Sequence, residues 1–296
     1  MAEFSVIYLI FKDIMKKHNL INRILAIALV LVVSVAGGLW TGSMIVNKHF
    51  NINNSVVYNP DDLREDFNPA SVQGKDVTTL SAKDAYLLAL YNLGQSNYYK
   101  KESIGDLSLS VGVTQYTHST AEKNGDVFTN SFCTTSSYYK SAGKTTFKKG
   151  ENISITKGSP SGKTLDTVAW SDKTENYTYD EYSEKIGRDP STETSIIISS
   201  KTILSQEKIK TENGLTTFKI QFDPKKASCL YINEIAYQSG TDKSSINFQL
   251  LEIEFTVDSS CRLVSLISIE NYGLKYSGIP VTLSSVYNTT VTYKEG

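Results

Sequence analysis

The sequence predicts an α+β chain in which an N-terminal transmembrane helix precedes a large antiparallel β-sheet accompanied by two or three helices. Three observations lead there. Residues 24–45 carry no charge. From Asp106 onward apolar residues recur with a period of two, as half-buried strands require. A few stretches of helical spacing, each preceded by a capping residue and followed by a glycine, interrupt the strands.

Ile24–Ile45 is a run of 22 uncharged residues. At about 1.5 Å per residue it makes roughly 33 Å of helix, enough for a hydrocarbon core of about 30 Å. Lys12, Lys16, Lys17 and Arg23 precede it, and an excess of Lys and Arg before a span keeps that side cytoplasmic. The expectation is a cytoplasmic basic segment at 1–23, a signal anchor at 24–46, a flexible linker at 47–79 and an extracytoplasmic domain at 80–296. Trp40 lies near the outer end, where an indole suits the interface. A second reading stays open. From Met15 the chain has a basic segment, an apolar segment and the small pair Ser34 and Ala36, which together fit a cleaved signal peptide and a secreted domain. The apolar run continues through Leu39, Trp40, Met44 and Ile45, which favours retention. Phe4, Ile7, Phe11, Ile14 and Met15 fit an interfacial helix on the inner leaflet, or an extension ahead of Met15.

Composition narrows the classes of function. Net charge is −1, which gives no basic footprint for nucleic acid. The three cysteines, Cys133, Cys229 and Cys261, lack C-x-x-C spacing and form neither a closed disulfide framework nor a zinc-finger pattern. Residues 47–79, with Pro60, Pro69 and clustered Asn and Asp, have linker chemistry.

The first helix is SAKDAYLLALYNLG, where Ser81 and Asp84 make a capping-box pair and Gly94 offers a stop. Leu87, Leu88, Ala89, Leu90, Tyr91 and Leu93 leave it almost no polar side, so it must be covered on more than one face. LSLSVGV places Leu107, Leu109, Val111 and Val113 on one strand face, and TFKIQF does the same with Phe218, Ile220 and Phe222. Asn124–Gly125 and Asn213–Gly214 predict tight type I′ hairpins. A third hairpin turns at Asp258–Ser260. Its first strand alternates Leu251, Ile253, Phe255 and Val257, whereas Phe248 and Leu250 have the opposite parity, which implies a bulge or a strand apolar on both faces. TYDEYSEKIG carries the box Thr178 and Glu181. DPKKASCLYINEIAYQSG starts with Asp223 as cap and Pro224 at the first helical position. The plan is a helix, several strands, a helix, strands, a helix and a three-strand meander.

Chemical motifs are few. KGSPSGKT, residues 157–164, has only three residues between Gly158 and Gly162 where a phosphate-binding loop needs four, and TLDTVAW after it is not helical. It reads as a hairpin loop. His118 is the only histidine after His49, too few for a zinc cluster or a hydrolase triad. Glu252 and Glu254 share a strand face as a glycosidase pair would, yet solvent-facing acids opposite Leu251, Ile253 and Phe255 explain them better. The expectation is therefore a chain without catalysis, cofactor or metal. The abundance of tyrosine offers rings with polar tips for a groove or interface.

The capped apolar helix SAKDAYLLALYNLGQSNYYK, ahead of a long meander that later helices cross, resembles the periplasmic lipoprotein carrier LolA and the mycobacterial LppX/LprG group. The likeness covers about residues 80–294. It implies an incomplete antiparallel barrel, curved around helices in its concave face, with an apolar cavity that takes lipid. It transfers no functional residue by position. The chain lacks the lipobox cysteine of that group and keeps a spanning helix, which implies a tethered acceptor or sensor rather than a diffusing shuttle.

Apart from the resemblance, a sheet apolar on one face plus an apolar helix makes either a filled core or a lined cavity. The first expectation is an envelope protein held in the membrane by Ile24–Ile45 and binding lipid or lipid-linked envelope material. Its cavity would be lined by Leu87, Leu90, Tyr91, Phe218, Ile220, Leu230, Tyr231, Phe248 and Leu250. The second is a regulatory ectodomain with a filled core and a membrane-protein partner. An envelope hydrolase is the third.

Overall fold

The computed structural model describes residues 58–294, apart from 111, 138, 187, 192–194, 240 and 277–278. The expected spanning segment, the signal-peptide reading, the inner-leaflet helix and the first part of the linker lie outside the described residues. No helix among the described residues is long and apolar enough to cross a membrane.

The described part of the expected linker is packed. Helix α1 (Pro60–Leu63) and the 3₁₀ turns Pro69–Ser71 and Val77–Thr79 are each capped by the preceding Asn59, Asn68 or Asp76 side chain. These turns bury Leu63, Val72 and Val77, and Glu65 accepts from Ser200 N at 2.9 Å and Lys83 Nζ at 3.2 Å. Asx-type turns redirect a polar chain cheaply enough to press an occasional apolar residue onto a domain.

Helix α2 (Ala82–Gln95) begins as the box requires: Asp84 N donates to Ser81 Oγ at 3.1 Å, and Ser81 Oγ donates to Asp84 Oδ2 at 2.8 Å. Eleven strands follow in one open antiparallel sheet. They are β1 (Tyr98–Leu109), β2 (Val113–Asn124), β3 (Val127–Thr135), β4 (Lys140–Lys148), β5 (Ile153–Pro160), β6 (Val168–Tyr177), β7 (Ile203–Glu212), β8 (Leu215–Phe222), β9 (Asn247–Val257), β10 (Leu263–Tyr276) and β11 (Ile279–Tyr293). The spatial order is 6-5-4-3-2-1-11-10-9-8-7. Two meanders are thus sewn together where the last strand pairs with the first, Tyr99 opposite Tyr293 through Leu109 opposite Leu283. The edges are β6 and β7. The chain must travel from one edge to the other, and it does so through helix α3 (Tyr179–Ile186) and the segment that ends at Thr202.

Register fixes which side chains share a face. Leu266, Ser268, Glu270 and Tyr272 of β10 align with Phe255, Ile253, Leu251 and Phe248 of β9, and with Thr289, Tyr287, Ser285 and Leu283 of β11. This inner face carries both core clusters. In one, α2 packs Ala85, Tyr86, Leu88 and Ala89 against Phe218, Ile220, Ile253 and Phe255. In the other, helix α5 (Tyr231–Ser239) brings Ile235 and Ala236 onto Leu107, Phe248, Tyr272 and Leu283.

Several expectations are corrected in detail. LSLSVGV is two strand ends joined by a turn, because Gly112, at φ 83°, closes a bend onto Leu109 O and starts β2 at Val113. Asn213 and Gly214 both have positive φ, as type I′ demands. At the other pair only Gly125 does, and the turn slips by one residue so that Asn124 pairs with Val127. DPKKASCLYINEIAYQSG breaks into α4 (Pro224–Ala227) and α5. The parity change on β9 is a bulge: Phe248 faces Tyr272 while Leu250 faces Asn271.

Candidate functional site

The inner face is not filled everywhere. Between α2 and strands β1–β4 lies a cavity of about 360 Å³. Its apolar walls are Tyr86 and Leu90 of α2, Tyr99 of β1, and the rings of Phe128, Phe132 and Phe147. Two of these rings owe their place to neighbours: Phe128 stacks on Phe147 at 5.3 Å, and Phe132 lies over Gly143, where an added Cβ would meet its ring at 2.6 Å. The polar wall is made by Lys101 and Ser103 of β1, Ser119 of β2, Asn130 of β3 and Thr289 of β11. Arg188, Pro190 and Ser191 of the edge-to-edge segment close the top. That roof is tied to α5, since Arg188 Nε donates to Glu234 Oε2 at 2.9 Å and Ser195 Oγ donates to the same oxygen at 2.8 Å.

The residues expected to line one cavity are not brought together. Leu90 lines it. Leu87 packs against the α2 core, Phe218 and Ile220 are fully buried within that core, and Tyr91 is exposed. Tyr231 and Phe248 meet at 5.6 Å in the α5 core, and Phe248 also borders a separate hollow of about 280 Å³ near Cys229 and Ile232. Leu230 is half-buried, and the half-buried Leu250 shares the other sheet face with Asn271. Tyr86 and Tyr99, two of the tyrosines expected to offer rings to a groove, do line the cavity, whereas Phe128, Phe132 and Phe147 escaped the sequence reading. The alternation Phe128, Asn130, Phe132 was a usable signal, but it looks the same whether a strand covers a core or a hollow.

One step deeper along the same strands the face is polar and closed. Ser103 pairs with Thr289 at the cavity, Gly105 with Tyr287 next, then Leu107 with Ser285, which in turn faces Glu270. Tyr287 lies flat over Gly105, where a Cβ would come within 2.2 Å of its ring. Behind it Glu270 is 7% exposed and accepts a long hydrogen bond from Tyr231 Oη at 3.4 Å. Burial pushes the Glu270 carboxyl up to about 7, against a smaller downward pull from Tyr231 and with a further rise from the charge of Glu234. Burial likewise raises Tyr231, Tyr272 and Tyr287 above the ordinary tyrosine range. Around this carboxyl the hydroxyls of Tyr272 and Ser285 are buried with no hydrogen-bond partner among the described residues. The same holds for both ends of the Gln115 amide on β2 and for the Thr134 hydroxyl on β3. Each orphaned group costs about 1–3 kcal/mol.

The remaining motifs are structural. KGSPSGKT ends β5 and folds back on itself, with Ser161 N donating to Thr167 O at 3.0 Å and Gly162 N to Thr167 Oγ1 at 3.1 Å, and only the single 3₁₀ turn Leu165–Thr167 separates it from β6. Lys163 sits over the Tyr116 ring at 3.4 Å. His118 is not an open surface group: Nε2 meets Glu102 Oε1 at 2.7 Å and Nδ1 accepts from Leu165 N at 3.3 Å. Glu252 pairs with Lys219 at 2.8 Å, and Asp258 holds its hairpin through Ser260 N and Arg262. All three cysteines are free, and burial pushes the Cys261 thiol up to about 12.

No protein-family model matches the chain, and no curated protein matches it. Among solved structures it is similar to the S-type phycobiliprotein lyase CPES from Guillardia theta, at 6% identity over 74% of this chain and 97% of the other, with a TM-score of 0.21. It is also similar to a fusion DH domain, at 8% identity over 73% of this chain and 79% of the other, with a TM-score of 0.14. The first is a lyase by name, which runs against the expectation of a chain without catalytic activity, and that expectation does not stand. Its support was the lack of a linear motif, and a site assembled across paired strands leaves none. Likenesses this distant carry no further argument. The expected resemblance to the lipoprotein carriers stands only as a large, open, curved antiparallel sheet with few helices.

Proposed function

We propose that the domain binds a small hydrophobic or amphipathic ligand on the inner face of its sheet, at a membrane in which residues 24–45 anchor it. The cavity of about 360 Å³ is the observation that carries this reading. It falls in the size range of ligand sites, roughly 300–1,000 Å³, and joins aromatic walls to a few polar groups, as such sites do. Lipid or a lipid-linked envelope component fits that chemistry, with apolar area contributing at about 25 cal/mol per Å² removed from water. The fluorescent fatty acid cis-parinaric acid, titrated against the full chain in nanodiscs, tests it. Ala121 borders the cavity on β2, and Ala121→Phe fills the space. Saturable binding by the parent and at least tenfold weaker binding by the variant, with an unchanged unfolding transition, is the expected result. Equal binding by both would remove the cavity from the reading.

A second reading, docking to a membrane protein, is favoured by one feature. On the outer face Ile104 is 59% and Val286 43% exposed, beside the half-buried Ile267 and Ile269 in adjacent strands. Crosslinking from position 104 in intact membranes to one particular protein would support it, and scattered adducts would remove it.

A further inference from the structure

We propose that the closed polar patch behind Tyr287 is a second binding site, one that takes a small organic ammonium on the Glu270 carboxylate. It goes beyond the hydrophobic cavity and does not depend on that cavity being occupied.

The argument starts from register. Glu270 and Ser285 are paired neighbours on the inner face, and Tyr272 and Tyr287 are the next residues along on the same side of β10 and β11. Tyr272 and Ser285 are each at most 3% exposed, and each has a side-chain hydroxyl without a partner among the described residues. Buried groups of this kind are rarely left unused, so two of them beside one carboxyl point to a hydrogen-bonding guest.

The chemistry of the guest follows from what surrounds Glu270. The groups that act on it are Tyr231 and Glu234 from α5, Tyr272 from β10 and Tyr287 from β11. None of these four is a cation, and the Arg188 guanidinium that Glu234 holds at 2.9 Å is taken up by that ion pair. An anion is therefore repelled, whereas an ammonium supplies both the missing charge and N–H donors for hydroxyl and carboxylate oxygens. Tyrosine and phenylalanine rings complete the wall: Tyr231 stands 5.6 Å from Phe248, which stacks on Tyr272 at 4.5 Å. Such rings favour a cation over an alcohol of the same shape. Entry is from the cavity. Ser103 and Thr289 line it, and the Tyr287 ring over Gly105 is the next pair inward, so rotation of that ring would open a way toward Glu270.

The probes are n-butylammonium, butan-1-ol and butanoate, titrated by calorimetry against the full chain in nanodiscs. Glutamate labelled with ¹³C at the carboxyl reports on Glu270, whose signal is identified by its loss in Glu270→Gln. Saturable binding of n-butylammonium is expected, with a shift of the Glu270 signal and at least tenfold weaker binding of the alcohol and the acid. Binding should weaken as pH falls and the carboxyl takes up its proton. Glu270→Gln keeps the shape of the side chain, and it should lose at least tenfold in n-butylammonium affinity while cis-parinaric acid binds as before. No binding, equal binding of alcohol and amine, or an unchanged affinity in Glu270→Gln would overturn the proposal and leave only ordered water in the patch. Loss of cis-parinaric acid binding in the parent chain would overturn the cavity reading instead.

Discussion

The β8–β9 side of the inner face and the β1–β3 side are built on the same period-two alternation and reach opposite outcomes. Under α2, Phe218, Ile220, Leu251, Ile253 and Phe255 are all at most 1% exposed and meet an apolar helix directly. Across the seam, the corresponding inner positions of β1 and β2 are Lys101, Ser103, Ser119 and Ala121, and a cavity stands over them. Alternation decides which residues turn inward. Whether the inward space is filled depends on the volume and polarity that each strand brings, and here the two meanders bring different stock.

Breaking the filled side should have the largest effect. Phe255 stacks on Phe218 at 5.4 Å and meets Tyr86 at 4.8 Å, so Phe255→Ala should cost about 3–5 kcal/mol in denaturant unfolding. A loss below 1 kcal/mol would mean that the two sides differ less in packing than their geometry implies.

Glu270 sharpens the comparison through pH. Its carboxyl titrates at about 7 when folded and at 4.5 as a free group, so the unfolded chain gives up the proton first. Below the unfolded value both states are protonated and the residue costs nothing. As pH rises through the window from 4.5 to 7 the folded state loses about 3 kcal/mol relative to Glu270→Gln, at about 1.36 kcal/mol per pH unit. Unfolding free energies at pH 4 and pH 8 for parent and variant check the sign: the two should be alike at pH 4 and the variant more stable at pH 8. A variant that is no more stable at pH 8 would show that Glu270 has a partner already.

Gly105→Ala tests the wall between cavity and patch. The new methyl would meet Tyr287 Cδ1 at 2.2 Å and Val286 O at 2.6 Å, and the backbone oxygen cannot step aside as a side chain can. A cost of about 1–3 kcal/mol is expected. At the β5–β6 edge, Lys157 and Glu175 pair at 2.7 Å but remain 74% and 50% exposed, and Lys157→Ala should leave the unfolding midpoint where it is.

Local features were legible. The reciprocal box at α3, where Thr178 N donates to Glu181 Oε2 at 2.8 Å and Glu181 N to Thr178 Oγ1 at 3.2 Å, follows from two residues three apart. The strands, the Asn213–Gly214 turn and the bulge near Phe248 are equally short-range. The turn within LSLSVGV was not legible, because Leu107, Leu109 and Val113 keep the parity of one strand across a bend that only Gly112 reveals. Of the candidate site, Leu90 was read directly. The aromatic wall of β3 and β4 was not, since an alternating strand looks alike over a core or over a hollow.

By itself the sequence determined where helices start, where strands turn and which side chains share a face, because caps, turns and pleat depend on residues a few positions apart. Only the tertiary structure decided that β11 pairs with β1, that Glu270 lies buried beside Ser285, and that α2 fills one half of the inner face and leaves the other open. Those outcomes are contacts between segments far apart in the chain. Their free energy depends on the volume and charge that meet there, which no local period encodes.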